Sequence, residues 1–287
     1  MHEKKIKVVT SLFPLYDFAK NVGKEKADVT LLLPPGMEPH SFEPKPGDII
    51  TLSEADVFVY TGKYMEPWVE DMLKGIPNKN LLVIDASKGV ALIDEHMHDA
   101  DERRHHADEY GRDPHIWLDF TNAQTMVENI LQGFVAGDPA NKDYYLRNAA
   151  SYTKQLAQLD RKYRNALASC KQNTLIHGGH FAFGYLARRY GLNYISAYQS
   201  FSPNAEPTPQ NLIELINKLK SNNLHFLFYE ELVMPRVAET IAKETGAGML
   251  KLHGAHNVTK AELEEGVTFI SLMEQNLVNL KKGLECQ

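Results

Sequence analysis

The sequence predicts an α/β protein of two lobes joined by one long helix, and three observations predict it. Short apolar runs alternate with helical patterns through the first part of the 287 residues, which is the signature of βα units feeding a parallel sheet. From Pro139 to Ser169 that rhythm gives way to a stretch with no Gly or Pro after its first residue. Beyond it the alternation resumes, so that each half offers four strands, enough for one mainly parallel sheet flanked by helices.

In the first half, Lys7 to Leu12 reads as a strand and Pro14 opens a helix to about Val22, proline being favoured in a first helical turn. Val29 to Leu33 is a second strand, broken by Pro34-Pro35-Gly36. A helix from Pro46 to Ala55, a strand from Val57 to Thr61, a helix from Glu66 to Leu73 and a strand from Leu81 to Asp85 follow. In the long stretch, Tyr145, Ala149, Tyr152, Leu156, Leu159, Tyr163 and Leu167 recur in steps of three and four, the one-sided stripe of an amphipathic helix. Such a helix would run about 42 Å at about 1.5 Å per residue, too long for an ordinary crossover and long enough to reach across two lobes.

The second half repeats the pattern. Thr174 to His177 is a strand, Phe181 to Tyr190 a helix ending at Gly191, Tyr194 to Tyr198 a strand and Thr208 to Leu219 a helix. His225 to Tyr229 is a strand, Pro235 to Thr245 a helix with Gly246 after it, and Met249 to Leu252 a strand. Thr259 then caps a terminal helix expected to run to about Leu284. The expected division is 1–138 for the N-terminal lobe, 139–169 for the linking helix and 170–287 for the C-terminal lobe.

Composition narrows the function. A formal net charge of -6 with dispersed Lys and Arg argues against nucleic acid, whose phosphates need a clustered basic surface. No apolar run approaches the length of a membrane span. The chain opens Met1-His2-Glu3-Lys4-Lys5 with no apolar signal segment ahead of its first strand, as expected of a cytosolic protein or of one whose export signal has been removed. The two cysteines, Cys170 and Cys286, are not spaced as metal ligands; one disulfide in an oxidising compartment and two free thiols are both open.

The histidines carry the chemistry. His40 lies in Glu38-Pro39-His40 and His115 in Asp113-Pro114-His115, each an acidic residue, a proline and then an imidazole. Proline stiffens the backbone on both sides, so each imidazole is presented at a small ordering cost. His115 leads into the apolar Ile116-Trp117-Leu118, which would keep water from one side of an ion, and Asp113 or Asp119 could orient its other ring nitrogen. His180 precedes a helix; His177, three residues earlier, still belongs to a strand. For a fourth position His256 and His253 compete, with Glu230 and Glu231 as carboxylate alternatives. Imidazoles far apart in sequence but each at the mouth of a βα unit point to a borderline-soft divalent metal, with Zn2+ the natural candidate. The polar stretch 94–112 holds His96, His98, His105 and His106 and reads as a surface loop that gathers metal weakly.

The segments EPHSFEP (38–44), DPHIWLD (113–119), HFAFGYLARRYGL (180–192), SAYQSFSPNAEPTPQ (196–210) and GVTFISLMEQNLVNL (266–280) together resemble the metal-binding subunits of cluster A-I ABC importers, the zinc and manganese solute-binding proteins. The resemblance covers nearly the whole chain. It implies two α/β lobes about a rigid spanning helix, metal held in a cleft between the lobes, and delivery to a membrane permease driven by a separate ATPase. It further implies a monomer, periplasmic or anchored at the outer face of the bacterial cytoplasmic membrane. By the same resemblance His40, His115 and His180 match the first three ligands of the zinc branch. His256 stands where one zinc subgroup has Glu, and His253 where other members have Asp. The manganese branch has Glu in place of His180, and the zinc branch carries a histidine-rich loop before the DPHIWLD segment.

The expected function is therefore high-affinity extracytoplasmic zinc capture, without catalysis. A manganese or iron binder of the same fold would call for oxygen-rich coordination. A zinc hydrolase would need an open coordination position and a general base; the chain has no HExxH helix and no GxSxG elbow.

Overall fold

The computed structural model describes residues 4–93, 111–198, 201, 207–232 and 234–287. The histidine-rich stretch 94–112 lies outside the described residues except for its last two. In chain order the described strands are β1 Ile6–Thr10, β2 Ala27–Leu31, β3 Val57–Tyr60, β4 Leu82–Asp85, β5 Thr174–His177, β6 Asn193–Ser196, β7 Phe226–Tyr229 and β8 Gly248–Lys251. The helices are α1 Phe13–Gly23, α2 Pro46–Ser53, α3 Val69–Lys74, α4 Phe120–Gly137, α5 Lys142–Leu167, α6 Gly184–Tyr190, α7 Pro209–Ser221, α8 Arg236–Thr245, α9 Lys260–Glu264 and α10 Phe269–Gly283. Among the described residues no helix is long and apolar enough to cross a membrane.

The strands form two four-stranded sheets in the orders β2-β1-β3-β4 and β6-β5-β7-β8. Every pairing is parallel, with Val8 opposite Val29 and Val57 in the first sheet and His177 opposite Ser196 and Phe228 in the second. In each sheet the order reverses beside the first strand, so the crevice at the carboxyl ends lies between β1 and β3 in one and between β5 and β7 in the other. That is where ligands bind in open parallel sheets.

Two compact units contain these sheets, and their composition differs from the continuous partition expected from the sequence. The first comprises Met1–Ala91, Phe120–Leu159 and Ala255–Phe269; the second comprises Leu92–Asp119, Asp160–Gly254 and Ile270–Gln287. The long helix expected over 139–169 is α5, and it is divided between the units at Leu159 and Asp160. Its first part packs in the first unit, where Tyr152 stands 5.7 Å from Phe18 and its hydroxyl donates to Asp17 at 2.7 Å. Its last turns belong to the second, where the Tyr163 hydroxyl donates to the Met273 carbonyl.

Two other elements depart from expectation. Helix α4, 18 residues long, had no counterpart in the strand and helix reading, although Ala123, Met126, Val127, Ile130, Leu131 and Phe134 are its buried face. The terminal helix expected from Thr259 is two helices. Thr259 does cap the first, accepting from the Glu262 amide at 3.2 Å, but α9 ends at Glu264. Gly266 then turns the chain with φ +76°, a conformation an L side chain adopts only with strain, before α10 begins at Phe269.

Candidate metal centre

In the second unit His180 and Glu230 follow β5 and β7, the strands on either side of the crevice. The sequence folds that way because two glycines lie between strand and ligand. A Cβ on Gly178 would come within 2.6 Å of the Ala238 Cβ on α8, and a Cβ on Gly179 within 2.2 Å of Glu230 Oε1. Without those side chains the loop lies flat on α8 and the Glu230 carboxylate reaches His180. Its Oε1 accepts from the His180 amide at 3.1 Å, and its Oε2 contacts His180 Nδ1.

His115 is held in the same way by a nearer carboxylate. Asp113 Oδ1 accepts from the His115 amide at 3.0 Å and lies 2.7 Å from its Nδ1. Both residues are completely buried. Desolvation pushes the Asp113 carboxyl well above the usual range, opposed by the bond from the His115 amide. Trp117 stands edge-on to the His115 ring at 5.6 Å and donates its indole N–H to the Gly254 carbonyl at 2.7 Å, so the apolar segment after His115 walls off one side of the imidazole. Asp119 pairs with Arg189 at 2.9 Å.

With each Nδ1 turned to a carboxylate, the Nε2 atoms of His115 and His180 face each other at 3.4 Å. Two nitrogens bound to one tetrahedral zinc at about 2.0–2.1 Å would stand roughly 3.3 Å apart. The pair therefore already has the spacing of two vertices of a zinc coordination tetrahedron.

In the first unit His40 sits in a 3-10 turn, Pro39–Ser41, capped by Glu38. The Glu38 carboxylate accepts from the His40 amide at 3.0 Å and the Ser41 amide at 2.9 Å, so the acidic residue two places before the histidine has the same main-chain role as Asp113. The segment after Gly254 is stitched to this loop. Asn257 Nδ2 donates to the Pro34 and Met37 carbonyls at 2.7 and 3.0 Å, and the Gly36 amide donates to the Val258 carbonyl at 2.8 Å. These bonds set the rings of His40 and His256 5.8 Å apart, centroid to centroid.

His253 belongs to the second unit and is held otherwise. Its amide donates to Asn276 at 2.7 Å and its Nδ1 lies 3.4 Å from Glu231 Oε1, while Glu231 Oε2 accepts from the Gly254 amide at 2.6 Å. Glu230 and Glu231, considered from sequence as possible ligands, thus each bind a histidine and a backbone amide. The part that Glu230 plays beside His180 has no local signal, since fifty residues separate them in sequence. Cys170 and Cys286 are paired in a disulfide.

Comparison with known proteins gives a consistent picture. The family described as "ZnuA: Zinc-uptake complex component A periplasmic" matches residues 8–283. The high-affinity zinc uptake system protein ZnuA of Bacillus subtilis (strain 168) is 38% identical over 282 residues, covering 98% of this chain and 88% of that protein. The zinc-binding protein AdcA of Streptococcus pyogenes serotype M3 is 34% identical over 290 residues; the match takes in 97% of this chain but only 56% of AdcA. Among solved structures, the metal-dependent lipoprotein YcdH from Bacillus subtilis superimposes with a TM-score of 0.83 at 38% identity, covering 98% of this chain and 100% of that one. The Zn(II)-bound ZnuA-like domain of Streptococcus pneumoniae AdcA does so with a TM-score of 0.82 at 33% identity, covering 98% and 99%.

Proposed function

Since the chain belongs to the family of periplasmic zinc-uptake component A proteins, we propose that it captures Zn2+ outside the cytoplasm and passes it to an ABC importer. The observation that carries this reading is the facing Nε2 pair of His115 and His180 at 3.4 Å, two nitrogen donors pre-set at the spacing of a tetrahedral zinc. Two imidazoles are half of such a shell. His40 and His256 supply the other half in the proposal, closing the ion off with four protein ligands and leaving no coordinated water to act as a nucleophile. The protein then works as a binding subunit, not as an enzyme, and as a monomer whose partners are a membrane permease and its separate ATPase.

The ligand chemistry sets the conditions. Imidazole binds zinc only when neutral, so capture weakens as pH falls through the range of free histidine, about 6.5. An all-nitrogen site disfavours manganese, which takes oxygen donors. The Cys170–Cys286 disulfide supports an oxidising, extracytoplasmic setting, because such bonds are rare in the cytosol. The histidine-rich stretch 94–112 serves as a weaker accessory binder; deleting Glu95 to Glu109 should leave one tight binding event in a calorimetric titration. The decisive measurement is metal analysis of protein purified without added zinc, followed by a competition titration with manganese. One tightly held equivalent of zinc that manganese does not displace is the expected result. Equal affinity for manganese, or no retained metal and no tight zinc binding, would overturn the reading.

A further inference from the structure

Two histidines of the second unit, His115 and His180, are gripped by one recurring device. In each, a single buried carboxylate meets both the main-chain N–H and the ring Nδ1 of the same residue: Asp113 for His115 at 3.0 and 2.7 Å, Glu230 for His180 through its amide at 3.1 Å and through the Nδ1 contact. The carboxylates come from unrelated places, one two residues upstream and one fifty residues downstream. A cap on the amide alone would be served by any side-chain acceptor, as Glu38 serves His40. What the clamp adds is a defined ring.

We infer that Asp113 and Glu230 are positioning residues that hold His115 and His180 as Nδ1–H tautomers, leaving both Nε2 lone pairs directed at the ion. The argument is one of donors and acceptors. An ionised carboxylate has no proton to give, so the ring nitrogen 2.7 Å from Asp113 Oδ1, and likewise the one in contact with Glu230 Oε2, is the donor of its pair. A neutral imidazole has a single N–H; once it is spent on the carboxylate, the other nitrogen is a bare acceptor. For a metal ligand, that arrangement fixes ring orientation and raises basicity. Gly179 belongs to the device, since a methyl group there would lie 2.2 Å from Glu230 Oε1 and would push the carboxylate off His180.

This inference rests on the zinc reading above, but its first test needs no metal. Long-range proton–nitrogen NMR of metal-free protein labelled at histidine, recorded at pH 8, reports which ring nitrogen carries the proton. His115 and His180 should both be Nδ1–H. D113A should move His115 alone toward the Nε2–H form, and E230A should move His180 alone. D113N and E230Q keep an acceptor oxygen and should keep the wild-type tautomers. Zinc affinity, measured by competition, should fall about 10- to 100-fold in the alanine variants and less in the amide variants. Should a buried alanine variant fail to fold, G179A, which leaves both carboxylates chemically intact, is expected to reproduce the E230A signature at His180. Nε2–H rings in the wild type, or alanine variants with unchanged tautomers, would overturn the inference. Nδ1–H rings in a wild-type protein that binds no zinc would instead overturn the zinc reading, so the two failures are distinguishable.

Discussion

His177 is fully buried, yet neither of its ring nitrogens has a hydrogen-bond partner among the described residues. Its ring lies edge-on to Phe183 at 5.1 Å and tilted to Tyr194 at 6.2 Å, the surroundings of an aromatic core residue. Burial, partly offset by Glu230, lowers its pKa to about 4. The folded protein thus refuses a proton that the unfolded chain accepts near pH 6.5. The stability this residue contributes is complete above that pH and is lost as pH falls from 6.5 toward 4. His177→Phe keeps the aromatic contacts and removes the titration. Between pH 6.5 and 5, urea unfolding of the metal-free wild type should lose roughly 2 kcal/mol more than the variant does; parallel losses would mean the ring titrates normally. The fourth ligand is decided at the same scale. His253 is held by Glu231 and Asn276, whereas His256 shares its surroundings with His40. His256→Ala should weaken zinc binding at least tenfold while His253→Ala leaves it nearly unchanged, and His256→Glu should restore much of the loss, a carboxylate oxygen being an acceptable zinc ligand. A competition titration in which the two alanine variants rank the other way would transfer the role to His253.

Among the elements, α4 has the most to say about packing. Gly133 and Gly137 lie one turn apart on it, and a Cβ at Gly133 would stand 2.7 Å from Ile84 Cγ1 and 3.3 Å from Val57 Cγ1. The helix sits close on β3 and β4 because those positions have no side chain. Gly133→Val should therefore lower stability by about 1–3 kcal/mol through overpacking, although valine is the better helix former; a denaturant midpoint at or above wild type would contradict this. Most elements were legible in the sequence because periodicity and punctuation agreed. Gly191 and Gly246 do end α6 and α8 in the left-handed conformation, and Thr208, where a helix was expected to begin, is the residue that caps α7 through the Asn211 amide. Where the reading failed, one signal outweighed another. The spacing of Met126, Ile130 and Phe134 is that of the buried face of α4, but Gly133 and Gly137 lie in the same segment and weaken it as a helical signal. The span from Thr259 to Leu284 keeps helical spacing across a break made by one glycine. For the site, the acid-proline-histidine repeat was readable because Glu38 and Asp113 act on backbone two residues away. Glu230 was not readable as a partner of His180, since their meeting depends on β5 and β7 being neighbours in the sheet.

On the scale of the whole molecule, the Cys170–Cys286 bond spans 116 positions and ties the chain after α5 to the chain after α10. Replacing both cysteines with serine should lower the stability of the protein by about 2–4 kcal/mol, chiefly by freeing the unfolded chain. Urea unfolding with and without reductant checks it: the wild type in reductant should match the double variant, and no difference among the three would leave the bond without a stabilising part. The interleaved division of the chain has a consequence of another kind. The path changes unit at 91/92, 119/120, 159/160, 254/255 and 269/270, so no single cut yields two complete halves, and a chain stopped at residue 138 lacks part of the core around Phe18 that Tyr152 and Phe269 supply. Neither unit can close until residues 255–269 and those beyond have been synthesised. Truncation anywhere before residue 269 therefore leaves both units incomplete, so the two halves of the fold are completed together by the last part of the chain.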